Sequence, residues 1–130
     1  MQDYKNLQVW KKAMMLAKAV LFHTRAFPKE QQYVLVAQMQ RAAISVPSNI
    51  AEGRTRHSEG EFIYFLNIAR GSLAELQTQI MLAAEMNFLT KATEAELLKD
   101  TEEVFRMIYG LREKLKTSSP AKTSRLKALG

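Results

Sequence analysis

The sequence predicts an all-α protein, an up-down-up-down four-helix bundle that assembles as a homo-oligomer. Three observations predict it. Apolar residues recur with a helical period through four long segments, and no segment alternates strictly over several residues as a strand would. Only five glycines and three prolines punctuate the 130 residues, so the connections are short. Two of the four segments are apolar on more than one face, which is more than a lone bundle buries.

The first helix is expected from about Tyr4 to Arg25. Leu7, Trp10, Met14, Ala17 and Leu21 form one stripe, and Val9, Ala13, Leu16 and Val20 widen it. Phe27-Pro28 ends it, because a residue before proline is pushed out of the α region. The second helix is expected from about Lys29 to Glu52, with Gly53 as its C-terminal cap. The third begins at Ser58, where "SEGE" reads as a capping box. The Ser58 hydroxyl meets the Glu61 amide, and the Glu61 side chain reaches back. It continues to about Asn87, with Phe62, Phe65, Leu66, Ala69, Leu73, Leu76 and Ile80 on one face. A second capping box, "TEAE" at Thr93 to Glu96, opens the fourth helix. Leu97, Thr101, Val104, Ile108, Leu111 and Leu115 carry its stripe to about Lys116. Such helices are about 33–45 Å long at 1.5 Å per residue, the proportions of an up-down bundle. Residues 1–116 make this bundle, and residues 117–130, "TSSPAKTSRLKALG", read as a flexible basic tail.

On the third helix Tyr64, Ile68, Gly71, Leu82 and Met86 lie roughly opposite the core stripe. A second apolar stripe implies a partner surface, hence the homo-oligomer.

The composition excludes several function classes. There is no cysteine, so disulfides, thiolate nucleophiles and Cys metal sites are ruled out. Di-iron bundles need Glu-x-x-His on two helices, and neither His23 nor His57 has a glutamate three residues before it. Neither GxGxxG nor GxxxxGK[ST] occurs, and no Ser/His/Asp set is suggested by spacing. No cofactor, no metal and no enzymatic activity are expected. No apolar run approaches the roughly 20 residues of a membrane span, and the N-terminus lacks a signal-peptide pattern. A cytoplasmic protein with no membrane partner is expected.

The stretch "RAAISVPSNIAEG", Arg41 to Gly53, places a proline and several polar residues inside an apolar helical run. Proline in a helix interior loses a hydrogen bond and costs about 3 kcal/mol. Arg41, Ser45, Ser48 and Glu52 fall within about 60° on a helical wheel, with Asn49 beside them. They form a narrow polar seam. Pro47 frees the Ala43 carbonyl, Ser48 and Asn49 offer donors, and Ser45 can bond back within its own helix. Across the turn, Gly71 and Ser72 are small, and Glu75 lies about 7 Å beyond the height of Arg41. An Arg41–Glu75 pair across a subunit or helix interface would penalise wrong registers. The seam reads as a registry device.

The net charge of +6 points to acidic partners, nucleic acid first among them. In the expected topology one end gathers Lys5, Arg54, Arg56, His57, Arg112, Lys114 and Lys116. The tail adds Lys122, Arg125 and Lys127 with no acid. Lys11, Lys12 and Lys18 on the first helix extend that surface. The amides at the start of the third helix point the same way. Few aromatics accompany these charges, so contacts to backbone phosphate with little sequence preference are expected.

The run "QMQRAAISVPSNIAEGRTRHSEGEFIYFLNIARGSLAELQTQI" closely resembles the core signature of the four helix bundle family first named for proteins encoded in 23S rRNA intervening sequences. "YKNLQVWKKAMMLAKAV" resembles its first helix and "FPKEQQYVLVAQ" its second, so the resemblance covers roughly residues 4–116. Arg41, Ser45, Pro47, Asn49, Glu52, Gly53, Gly71, Ser72 and Glu75 match the signature. The resemblance implies a bacterial four-helix bundle whose characterised relatives form ring-like homopentamers. A related branch serves diversity-generating retroelements, binding nucleic acid through a basic surface and contacting the reverse transcriptase. The expected function is therefore non-catalytic, oligomeric binding of RNA or DNA through a basic end or rim. A protein-interaction scaffold, for example a reverse transcriptase partner, is the alternative.

Overall fold

The computed structural model of the protein describes residues 3–118; the expected tail from residue 119 onward lies outside the described residues. A 3-10 turn at Tyr4–Asn6 leads into α1, Gln8–Thr24. A 3-10 turn at Lys29–Gln31 and a π-helical turn at Gln32–Val36 pass the chain into α2, Ala37–Arg54. Then come α3, Glu59–Glu85, and α4, Lys91–Ser118. Each helix packs on its neighbour in sequence, and α4 closes back onto α1. That is the expected up-down-up-down four-helix bundle.

Local chemistry explains most boundaries. Asp3 accepts the Lys5 amide at 3.0 Å and starts the N-terminal turn. The Ser58 hydroxyl accepts the Glu61 amide at 3.1 Å, the first half of the expected box. Asn87 takes a left-handed φ of 64°, and Phe88 and Asn87 donate to the Ala83 and Ala84 carbonyls. This is the crossed pair of bonds that terminates a helix, with asparagine in the place glycine usually fills.

Three expectations are corrected. The fourth helix starts earlier: Thr90, not Thr93, accepts the Thr93 amide at 3.1 Å, so the cap lies one turn upstream of "TEAE". It also ends later, with Thr117 and Ser118 in the last turn. Gly53 is not the cap of α2. It lies buried inside the helix, whose C-cap is Thr55, and no described glycine has a positive φ. A Cβ on Gly53 would lie 2.8 Å from Phe65 Cβ and 2.9 Å from Phe62 Cδ1. The glycine is there because α3 passes that close. On α1 the stripes trade places. Val9, Ala13, Leu16, Ala17 and Val20 are buried, whereas Met14 and Leu21 face outward. Both stripes are apolar; the one with small and β-branched residues admits the closer packing.

The core runs the length of the bundle, from Ile50, Phe62 and Ile108 at one end to Phe27, Leu89 and Leu97 at the other. Leu66, Leu73, Leu76 and Ile80 of α3 are fully buried, as the sequence periodicity predicts. Two buried threonines clip helix pairs together. Gln40 Nε2 donates to Thr24 Oγ1 at 3.1 Å between α2 and α1. Gln77 Nε2 donates to Thr101 Oγ1 at 2.8 Å between α3 and α4. Each threonine in turn donates to a carbonyl one turn back in its own helix, which satisfies its hydroxyl.

Candidate functional site

The polar seam assembles much as the sequence implies, but with a different centre. Pro47 is buried within a continuous α2. Asn49 Nδ2 donates to the Ser45 carbonyl at 2.8 Å and to Ser45 Oγ at 2.9 Å. Ser45 Oγ lies 2.8 Å from Ser72 Oγ of α3. The seam is thus a relay from Asn49 through Ser45 to Ser72, in the turns flanking the proline. Ser48 stays exposed beside it. Arg41, Ser45, Ser72 and Glu75 line one shallow recess on the α2–α3 face. Among the described residues no ion pair joins Arg41 to Glu75, and both are exposed. Gly71 is exposed too, and a Cβ there would meet nothing within 4 Å. Glu52 turns away from the seam to hold Arg56, with Nη2 to Oε1 at 2.7 Å.

The end formed by the start of α1, the α2–α3 turn and the close of α4 gathers the cations named above. Arg56 lies 4.7 Å from the Phe65 ring centroid and Arg54 5.9 Å from that of Phe62. Both guanidiniums stack on the aromatics that crowd Gly53. Lys5, His57 and Lys114 are exposed. Arg112 is half-buried, and its Nε has no hydrogen-bond partner. Lys116 pairs with Glu113 at 3.2 Å.

Acids are interleaved at this end in a way that a count of cations misses. Asp3, Glu52, Glu59, Glu61 and Glu113 belong to the same turns. The positive excess is therefore modest on the bundle itself. Lys122, Arg125 and Lys127, with no acid among them, supply half of the net +6.

Lys11 is exposed on α1, but its neighbour Lys12 has another task. Its ammonium lies 3.1 Å from Glu103 Oε2 and 3.3 Å from Asp100 Oδ1, tying α1 to α4. The hydrogen bond to Glu103, with the Asp100 carboxylate adding to it, raises the Lys12 pKa above its ordinary value against the opposing effect of burial. Lys18 lies on a face that sequence reading did not single out as a groove. Between α1 and α2, Trp10, Met14, Leu21, Ile44 and Pro47 line an apolar cleft in which Lys18 is the sole charged residue. The 3.6-residue spacing of Trp10, Met14 and Leu21 was its sequence signal, absorbed there into the core stripe.

Among the described residues no group of three or more His, Asp or Glu is placed to hold a metal ion. No described helix is long and apolar enough to cross a membrane.

Comparison with known proteins places this geometry. The model of the 23S rRNA-intervening sequence protein family matches residues 5–110. A solved structure from Bacteroides thetaiotaomicron, a protein of unknown function from the S23 ribosomal protein family, superposes with a TM-score of 0.73. It is 22% identical, and the alignment covers 80% of this chain and 97% of that one. The likeness is one of fold. No curated protein matches the chain.

Proposed function

The chain belongs to the 23S rRNA-intervening sequence protein family, and from that premise we propose that it is a non-catalytic, self-associating protein that binds the phosphate backbone of RNA or DNA. The observation that carries this reading is the gathering of Lys5, Arg54, Arg56, His57, Arg112, Lys114 and Lys116 at one end, where α4 hands the chain on to three more cations. Phosphate competes there with the carboxylates of Glu52 and Glu113 for Arg56 and Lys116. The first-turn amides of α3, beyond the one that Ser58 holds, face the same end. Such contacts fix a backbone without reading bases.

Self-association is supported by the contrast between outer faces. Outward positions of α1, α2 and α3 include Met14, Leu21, Ile44, Tyr64, Ile68 and Leu82. The outward face of α4 instead carries Glu96, Lys99, Glu102 and Arg106, with Tyr109 as its exposed large apolar side chain. Apolar faces on three helices and a mainly charged face on the fourth suit a bundle that shows most of α4 to water and the others to protein. The same faces also favour a second reading, a scaffold whose partner is a different protein.

The test is fluorescence anisotropy with a labelled structured RNA and a duplex DNA, comparing the native chain with the combined variant Arg54→Gln, Arg56→Gln, Lys114→Gln, Lys116→Gln. Binding that weakens at least tenfold in the variant, and with rising salt in the native chain, supports the reading. Unchanged affinity rejects the basic end, and a partner retained after nuclease treatment favours the scaffold.

A further inference from the structure

Two complementary surfaces lie open on the bundle. One is the cleft between α1 and α2, lined by Trp10, Met14, Ala17, Leu21, Ile44 and Pro47 and about 650 Å³ in volume. Its one charged group is Lys18. The other is a ridge along α3. Tyr64, Ile68, Gly71, Glu75, Leu82 and Met86 follow one another at spacings of four, three, four, seven and four, all exposed, so they share one face of the helix. Its one charged group is Glu75. Among the described residues neither Lys18 nor Glu75 has an ionic partner.

We propose that the α1–α2 cleft of one copy receives the α3 ridge of a second copy, with Glu75 of the incoming chain set against Lys18. This specifies the surfaces for the self-association read above and rests on that reading.

Charge and spacing fix the register. Tyr64 is separated from Glu75 by the same number of residues as Leu7 from Lys18, about 17 Å of helix in each case. With Glu75 at Lys18 and the two helices parallel, Tyr64 falls at the aromatic end of the cleft. There the Tyr4 and Trp10 rings meet edge-on at 5.4 Å. Gly71 then falls beside Met14. A glycine inside a helix is unfavourable relative to alanine, and Gly71 is required by nothing in its own chain, since its missing Cβ has open space around it. A methionine pressed against the α3 backbone from another copy gives it a reason. Run antiparallel, with Gly71 still at Met14, the ridge would bring Glu75 near Trp10 and leave Lys18 opposite Asn67. With Gly71 held at Met14, the parallel arrangement is the one that also sets Glu75 against Lys18.

The contact is head-to-tail, because cleft and ridge are different surfaces. Within one bundle α1 and α3 already run the same way. Docking α3 parallel to α1 therefore gives every copy the same polarity and sets all the basic ends on one side of the assembly. The phosphate-binding ends would then act together.

The absence of cysteine makes the test free of background. Met14→Cys and Gly71→Cys chains, each with a tag of different size, are co-expressed and mildly oxidised, and the products are separated without reductant. Both sites are exposed, and Gly71 has room for a side chain. The proposal expects a cross-linked dimer containing one of each tag and none from either variant alone. In parallel, Lys18→Glu or Glu75→Lys should each raise the dissociation midpoint of the assembly at least tenfold, with the double reversal restoring it. A native chain that runs as a monomer overturns self-association and this proposal together. An oligomer that gives no mixed cross-link, or cross-links like to like, overturns only the cleft-and-ridge assignment. So does a cleft that takes up an apolar dye equally well in the oligomer and in the Lys18→Glu chain.

Discussion

Ser45 Oγ and Ser72 Oγ lie 2.8 Å apart across the α2–α3 contact, two residues before the helix-interior proline. That contact answers why α2 carries its awkward residues in its most apolar run. Pro47 removes one backbone donor, and beside it the side chains of Ser45, Asn49 and Ser72 bond to one another and link the two helices. Ser45 receives Asn49 and meets Ser72, so the two helices are held in one axial register.

Removing Ser45 should destabilise the bundle by about 1 kcal/mol, because Ser72 loses its partner and Asn49 one acceptor; removing Ser72 should cost less, because Ser45 still accepts from Asn49. Ser45→Ala with Ser72→Ala should cost less than the sum of the singles. Urea unfolding of the four chains in a double-mutant cycle measures this. Strict additivity would mean that the contact contributes nothing.

Gly53→Ala should destabilise by about 1–3 kcal/mol, despite alanine being the better helix former. The new methyl would meet Phe65 Cβ at 2.8 Å and Phe62 Cδ1 at 2.9 Å. Phe65 Cβ is anchored to the backbone, so α3 itself must move. Thermal unfolding checks the direction; a raised midpoint would show that the helices part easily.

Lys12→Met should lower stability by up to about 1 kcal/mol and leave Asp100 and Glu103 facing each other without a cation. The folded pKa of Lys12 lies above the ordinary 10.5, so its contribution is fully present below that value and is lost as pH rises through the folded one. The gap in urea midpoint between native chain and variant should therefore hold at neutral pH and close in strong alkali. Lys12→Ala should also leave the assembly intact, whereas Glu75→Ala weakens it. Sedimentation velocity compares the two, and identical profiles would remove the interface role given to Glu75.

Ending the chain after Ser118 removes Lys122, Arg125 and Lys127. On duplex DNA the slope of log affinity against log salt should fall by about 2–3, near one unit for each lost phosphate contact. A slope equal to that of the full chain would place all binding on the bundle.

Much of the fold was legible because periodicity and caps agree. The α3 stripe from Phe62 to Ile80 and the Ser58 cap could be read from spacing alone. Sequence could not choose between two apolar stripes on α1, since Val9–Val20 and Leu7–Leu21 differ in size and branching more than in hydrophobicity. Nor could it tell that Gly53 serves a close approach. A glycine near a helix end has the same appearance as a cap until the neighbouring helix is in place. The seam residues were visible because proline and serine stand out among Ala, Ile and Val. The Ser45–Ser72 contact that unites them depends on the relative height of two helices. The acids at the basic end were missed for a similar reason. Counting lysines and arginines leaves out the carboxylates of Glu52 and Glu113, which the folded turns put within reach of Arg56 and Lys116.

The central claim, an assembly that binds nucleic acid through clustered cations, is tested most directly by size-exclusion chromatography with light scattering. The native chain would be run with and without a short structured RNA at two salt concentrations. The account predicts a multimer that shifts with RNA at low salt and releases it at high salt. A monomer, or a multimer indifferent to RNA and DNA at low salt, would contradict it.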